Sequence, residues 1–467
     1  MNKLKVGFSR VNINPPLGAF VAGYFIDRFA DGILDDLEAS AVAFELDGKK
    51  AVIISADLCE VPTPTAEYLI REIATKTGLN KNEIFFVVTH SHTAPAVCLR
   101  DKLVTRKSVS DEMLGSSDEN LKINKAYTEN ILAPRLADAA VLAFLDLKPA
   151  KLGWRQDKAE GLAFVRRYLM KDGTIRTNPG VGNPDIVSPV GHIDDGVTVI
   201  RIDREGGDTV VIVNYANHAD TVGGCKLSAD WPGQLRRAVE LAIPGTKCLY
   251  LNGAEGDVGH VNVFAKDGDL NGMFYDFDDV TRGYDHSIHM GRVVAASVLR
   301  TYGKVNWVDC DKIVTRQRVM ATPSNMPKPE ELPEARRINE LHLTGRDAEL
   351  PYEGMMLTTV VAEASRMIAL EHGPEHINLT LTALRLGPIA IIGIPGEPFT
   401  GVGEALKRVE GFAAVLPASF ANGYEGYFPM MSSYEEGGYE ARSSVYRAGV
   451  AEKIISECTE LLLEVKK

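Results

Sequence analysis

The chain has no run approaching the about 18 unbroken apolar residues that a membrane-crossing helix needs. Its opening, MNKLKVGFSRVNINPP, carries two lysines but no apolar stretch of the kind an export signal requires. Stable membrane association is therefore not expected, and the cytoplasm is the expected location. Cysteine is sparse: Cys59, Cys98, Cys225, Cys248, Cys310 and Cys458 stand singly with no CxxC spacing, which excludes a disulfide scaffold and gives a thiol nucleophile no support. Positive charge is in deficit, with 51 Lys and Arg against 63 Asp and Glu and a net charge of -12, so a protein that grips nucleic acid is excluded. There is no internal repeat and no low-complexity linker.

What remains is a chain of 467 residues, 45% hydrophobic and 24% charged, with the composition of a globular protein and enough length for a sizeable core. Short apolar runs flank Asp47-Gly48, Gly206-Gly207 and Gly387-Pro388, and each pair reads as a β-hairpin. Helical periodicity is expected over 63–77, 126–147, 231–241 and 445–465, with Pro134 kinking the second or sitting in its first turn. The charged segment 327–350 reads as a solvated helical excursion. Strands at 84–88, 209–213, 248–251 and 389–394 each run into a polar cluster rich in His, Glu, Asp or Gly. In α/β proteins such clusters gather beyond the carboxyl ends of strands, so these are candidates for one shared site.

The first cluster is FFVVTHSHTAP, Phe85 to Pro95. On an extended backbone, residues two apart face the same way, so His90 and His92 could meet one metal ion or one substrate. Neutral imidazole is a common zinc ligand and can also shuttle protons near neutral pH. By itself the HxH pair fits a polar turn equally well. His218 in VIVNYANHAD and Glu397 in IAIIGIPGEPF each follow an apolar strand; either could be a ligand, a loop residue or, for Glu397, a cap for a helix near Phe399. Asp257 in GAEGDVGH could stabilise a glycine-rich turn or bond to a ligand.

Taken in order, these motifs resemble those of the neutral ceramidase family: THSHTAP at Thr89 to Pro95, ANHAD at Ala216 to Asp220, Gly256-Asp257, PGE at Pro395 to Glu397, and NGYEGYFPMMSSYEEGGYEA, in which Tyr427 and Tyr439 stand twelve apart. The resemblance covers roughly residues 5 to 445. It implies an α/β fold with two mixed β-sheets flanked by helices, an α/β/β/α sandwich, and one Zn2+ held by His90, His218, Glu397 and Tyr427. It further implies that His92 transfers a proton and that Tyr439 and Arg166 hold the scissile carbonyl. Val165 stands where the family has asparagine, which leaves Arg167 open as the substitute for Arg166. The chemistry is coherent: zinc lowers the pKa of water towards about 7, and an amide nitrogen must be protonated to leave.

The chain departs from the family in three ways. Gly259 replaces a serine and brings His260 beside it; only 28 residues follow Tyr439, too few for the family's β-sandwich domain; and the export signal is missing. These departures lead to the expectation of a single catalytic unit over 1–467, a zinc-dependent amidohydrolase for a small polar N-acyl substrate. An esterase or lactonase on the same zinc site is the near alternative. A metallophosphoesterase needs an early DxH that is missing near the amino terminus, and a non-catalytic binding descendant sits poorly with intact His90, His92, His218, Glu397 and Tyr427.

Overall fold

Strands such as Ile84–Val88 and Ile389–Gly393 are apolar and buried at every position, which requires cover on both faces. The computed structural model, which describes residues 4–25, 27–99, 118–270 and 283–467, supplies it with two sheets packed face to face and helices outside them. The larger sheet has nine strands: β1 (Lys5–Asn12), β2 (Glu38–Leu46), β3 (Lys49–Ala56), β4 (Ile84–Val88), β5 (Lys148–Lys158), β6 (Gly196–Arg204), β7 (Thr209–Tyr215), β8 (Thr246–Asn252) and β9 (Asn306–Val308). Its order is β8-β7-β6-β5-β1-β2-β3-β4, with β9 also paired to β5. The smaller sheet runs β10 (Ile313–Pro323), β11 (His376–Leu386), β12 (Ile389–Gly393) and then β14 (Ala414–Ala418); between the last two in sequence lies the short β13 (Glu397–Pro398).

Both sheets are mixed. Most neighbours are antiparallel, whereas β3 with β4, β7 with β8, and β12 with β14 are parallel. Each parallel pair is joined through a helix, as a parallel connection requires. Between the sheets, Phe44, Ile53, Phe85, Ile212 and Leu249 of the larger pack with Leu384, Ile391 and Leu416 of the smaller. On the outside, α1 (Thr63–Thr77) and α2 (Ala133–Leu145) cover one half of the larger sheet. The other half is covered by α3 (Asp230–Ala242) and α4 (Tyr284–Tyr302), through Trp231, Leu235, Met290 and Val294. This is the α/β/β/α sandwich expected.

Asn422 ties the two sheets together at the edge of β4. Its backbone N–H donates to Phe86 O at 2.7 Å, its Oδ1 accepts from Phe86 N at 2.8 Å, and its Nδ2 donates to Thr382 Oγ1 at 3.1 Å. A strand edge that would otherwise expose unpaired groups is thereby closed.

Some expectations change. Segment 327–350 is not simply solvated: α5 (Leu332–Leu343) packs against α6 (Gly354–Ala369) through Ala335, Ile338, Val360, Val361 and Ala364, an apolar nucleus of its own. The long helix over 126–147 is interrupted by a π turn, Thr128–Leu132, before α2 begins with Pro134 in its first turn. Proline cannot donate to the carbonyl four residues back and its ring crowds that carbonyl, and the wider turn accommodates both facts. Beyond α7 (Thr400–Lys407) and the short α8 (Tyr439–Ser443), the last helix, α9 (Val450–Lys466), starts after Gly449 rather than at Val445. Among the described residues no helix is long and apolar enough to cross a membrane.

Ile391 lies fully buried between the sheets. Ile391→Ala is expected to lower the unfolding free energy by about 2–5 kcal/mol in urea titrations. Leu145→Ala, at a side chain 78% exposed, should change it by less than about 0.5 kcal/mol.

Candidate metal centre

The carboxyl ends of the parallel strands converge. His90 follows β4, His218 follows β7, Glu255 follows β8, and Glu397 follows β12 within β13. Phe420, just past β14, stacks on the His90 ring at 4.2 Å between centroids and 20° between planes. Three of these groups come together: His90, His218 and Glu397 each offer a donor atom within 4.8 Å of the others, all buried.

The proton positions follow from the neighbours. His90 Nδ1 lies 2.8 Å from the Cys59 carbonyl oxygen, which can only accept, so Nδ1 carries a hydrogen and Nε2 offers a lone pair. Arg166 Nη1 lies 2.9 Å from His218 Nε2, and a guanidinium can only donate, so His218 Nε2 offers a lone pair as well. Glu397 Oε2 stands 3.3 Å from His218 Nε2 and 3.9 Å from His90 Nε2, buried and without a hydrogen-bond partner. Three ligand atoms converging in a buried space fit a cation, and two imidazoles with a carboxylate suit a divalent transition metal. A second grouping, Cys59 with His90 and His92, is less suited, because His90 Nδ1, 3.8 Å from Cys59 Sγ, is committed as a donor.

Electrostatics agree with this reading. Burial, followed by the nearby Arg166 charge, pushes His218 down to about 4, keeping it neutral. Burial alone would raise Glu397, but His90, His218 and Arg166 outweigh it and hold the carboxyl well below its usual range. Its other oxygen accepts from Tyr424 Oη at 2.7 Å. Tyr427 lies directly opposite Glu397, paired in register through β15 (Tyr427–Phe428), and its hydroxyl accepts from Arg166 Nη2 at 3.3 Å. Burial, then Glu397, raises Tyr427 well above the ordinary tyrosine value.

The remaining expected residues surround this cluster. His92 Nε2 is 3.1 Å from His90 Nε2, and its Nδ1 is 3.5 Å from Asp220 Oδ1, which in turn accepts from Tyr24 Oη. The Tyr439 ring stands edge-on to Tyr427 at 5.6 Å between centroids. Arg166, rather than Arg167, faces the cluster: its Nη2 is 2.9 Å from Glu440 Oε1 and donates to Gly256 O at 2.8 Å. Arg167 turns away to Ser433 and Glu436. Gly259 is explained by the same side chain, since a Cβ there would stand 3.0 Å from Arg166 Cδ.

Two expectations about local structure are corrected. The histidine pair does not sit on an extended backbone: His90 has φ +68°, a left-handed conformation uncommon outside glycine, and this turn carries the two rings to centroids 4.6 Å apart. Nor does Glu397 cap the helix that follows; Asp257 does, accepting from Thr400 N at 2.7 Å and Thr400 Oγ1 at 2.9 Å. Sequence reasoning also passed over Glu255, Tyr424, Glu440, Asp220 and Tyr24. All but Tyr24 lie inside motifs already singled out, where a polar residue beside a candidate ligand is the available signal.

Two solved structures share this architecture. The neutral ceramidase from Pseudomonas aeruginosa aligns with a TM-score of 0.72 at 15% identity, over 100% of this chain and 75% of that one. A ceramidase complexed with C2 aligns at 0.71 and 16%, with the same coverage. The fold is neutral ceramidase-like. No family model and no curated protein matches the chain.

A Cβ at Gly256 would stand 2.5 Å from the Glu397 backbone oxygen, whereas one at Gly303 meets nothing within 4 Å. Gly256→Ala is expected to cost about 1–3 kcal/mol by urea denaturation. Gly303→Ala should be neutral or stabilise by up to about 1 kcal/mol.

Proposed function

We propose that this chain, folded like a neutral ceramidase, is a metal-dependent hydrolase that cleaves the amide bond of a small, polar N-acyl compound, the whole chain acting as one catalytic unit. The observation that carries the reading is the set of three converging lone pairs on His90 Nε2, His218 Nε2 and Glu397 Oε2. These residues would hold the metal, with Tyr427 beside them as a fourth ligand, and zinc suits that donor set. When bound, such a metal supplies a Lewis acid that polarises a carbonyl oxygen and lowers the pKa of water.

The chain's own groups account for the rest. An amide nitrogen is a poor anionic leaving group, so a proton must reach it. His92 is the imidazole that borders the ligand set without belonging to it, and Asp220 at its Nδ1 orients the ring. Arg166 and Tyr439 hold the carbonyl oxygen as negative charge develops on it. Glu440 and Gly256 O fix the Arg166 guanidinium, and once His218 Nε2 is engaged elsewhere, Nη1 is free to donate to that oxygen. A polar substrate is favoured over a lipid chain by the surroundings of His92. Tyr24 and Asp220 present polar groups there, and Arg28 donates to His92 O at 2.7 Å while lying 4.0 Å over the Tyr24 ring.

Metal analysis of the purified protein should find one tightly bound divalent ion per chain, missing from His90→Ala. Hydrolysis across a panel of N-acyl compounds should cease on chelation and return with zinc; undiminished turnover by metal-free protein would overturn the proposal. Tyr439→Phe should lower kcat by about 10²–10³-fold with metal content unchanged. His92→Ala should cost about 10²–10⁴-fold, again with the metal retained.

A further inference from the structure

Glu255 is an acidic side chain in a place that ordinarily excludes one. It follows β8 in the glycine-rich NGAEGDVGH, has no exposed surface, and neither of its oxygens has a hydrogen-bond partner. A buried carboxyl left unpaired costs several kcal/mol at least. A neighbouring polar atom is equally bare: His218 Nδ1 is buried, unpartnered, and 3.7 Å from Glu255 Oε2.

The hydrogen on His218 can be placed without reference to Glu255. Arg166 donates to Nε2, so Nε2 holds the lone pair, and a neutral imidazole with its lone pair there carries its hydrogen on Nδ1. The atom that bears it stands from Glu255 Oε2 at a distance a few tenths of an ångström beyond hydrogen-bond reach. The two unmet groups thus complement each other. The other histidine shows what such a partner does: Cys59 O takes the Nδ1 hydrogen of His90 and leaves its Nε2 lone pair aimed at Glu397.

We infer that Glu255 is a positioning residue, one of whose carboxyl oxygens accepts the Nδ1 hydrogen of His218 and so holds the ring with Nε2 presented to the metal. This rests on the reading of His218 as a ligand. Carboxylates placed behind ligand histidines fix ring and tautomer, and their loss typically weakens metal affinity by about 10–100-fold. A metal held by His218 would order that ring and let the pair close, giving the buried carboxyl the partner it otherwise lacks.

The test uses the full chain with Glu255→Gln and Glu255→Leu. Glutamine keeps an acceptor oxygen; leucine keeps the volume and removes it. Nitrogen-15 spectra of histidine-labelled, metal-free protein, with only ten histidines to assign, should show His218 carrying its hydrogen on Nδ1. That proton should shift in Glu255→Gln while those of distant histidines do not. A hydrogen on Nε2 in the parent protein, or an unmoved Nδ1 proton in Glu255→Gln, would overturn the inference. Zinc titration against a chromophoric chelator should show Glu255→Leu weakened by about 10–100-fold and Glu255→Gln weakened less. The metal-free leucine variant should melt no lower than the parent, because an unpaired buried carboxyl has been removed. Equal zinc affinity in parent and leucine variant would sink the assignment, as would equal weakening in both variants accompanied by a lower melting temperature. If the parent protein binds no zinc, the ligand reading of His218 fails, and the nitrogen spectra still decide the Glu255–His218 pair. Should the leucine variant fail to fold, the glutamine spectra decide it alone.

Discussion

Acceptor atoms that face one another in a buried space repel and forgo the water that would otherwise solvate them. His90 Nε2, His218 Nε2 and Glu397 Oε2 are held in that arrangement. Left to local forces, each ring would turn to donate into the carboxylate. That they do not is due to the groups bonded to them: a carbonyl oxygen at His90 Nδ1, a guanidinium at His218 Nε2 and a phenol at Glu397 Oε1. Much of the neighbouring structure can be understood as the frame for this constraint.

The frame is made where three parallel strand pairs end side by side. Because each pair belongs to a strand–helix–strand unit, its carboxyl ends emerge together, and stacking the two sheets places the ends from both in one region. Close backbone approach is needed there. Gly256 sits against the Glu397 carbonyl, and Gly396, at φ +151°, sits where a Cβ would stand 2.3 Å from Gly426 O. Asp257 ties the loop after β8 to the first turn of α7, and so links the segments bearing Glu255 and Glu397. Glu440, next to Tyr439, anchors Arg166 and thereby couples the late tyrosine segment to the histidines.

Much of the fold could be read in advance because its signals are local. The hairpin around Asp47-Gly48 and helix Thr63–Thr77 each depend on a short apolar pattern with a glycine or proline boundary, and strand Ile84–Val88 on an unbroken apolar run. The α5–α6 pair was less legible, since its charged surface masks an apolar nucleus that forms only when the helices meet. The π turn before Pro134 was equally hidden, being a response to packing on both sides of a proline. At the site, His90, His92, His218 and Glu397 stood out by following apolar strands. Glu255 and Asp220 did not, because a carboxylate in a glycine-rich or polar loop has no local feature to separate a partner of histidine from a solvated turn residue.

The amino-acid sequence alone determined the elements, the polar clusters at their ends and the residue types capable of metal and proton chemistry, because periodicity, turn chemistry and donor atoms are properties of short segments. Tertiary structure alone decided which nitrogen of each histidine carries the hydrogen, that Arg166 and not Arg167 faces the cluster, that Asp257 rather than Glu397 caps the following helix, and that the HxH pair meets through a left-handed turn. The first three depend on partners tens or hundreds of residues away. Only the packing of one strand end against another brings such partners within hydrogen-bond distance.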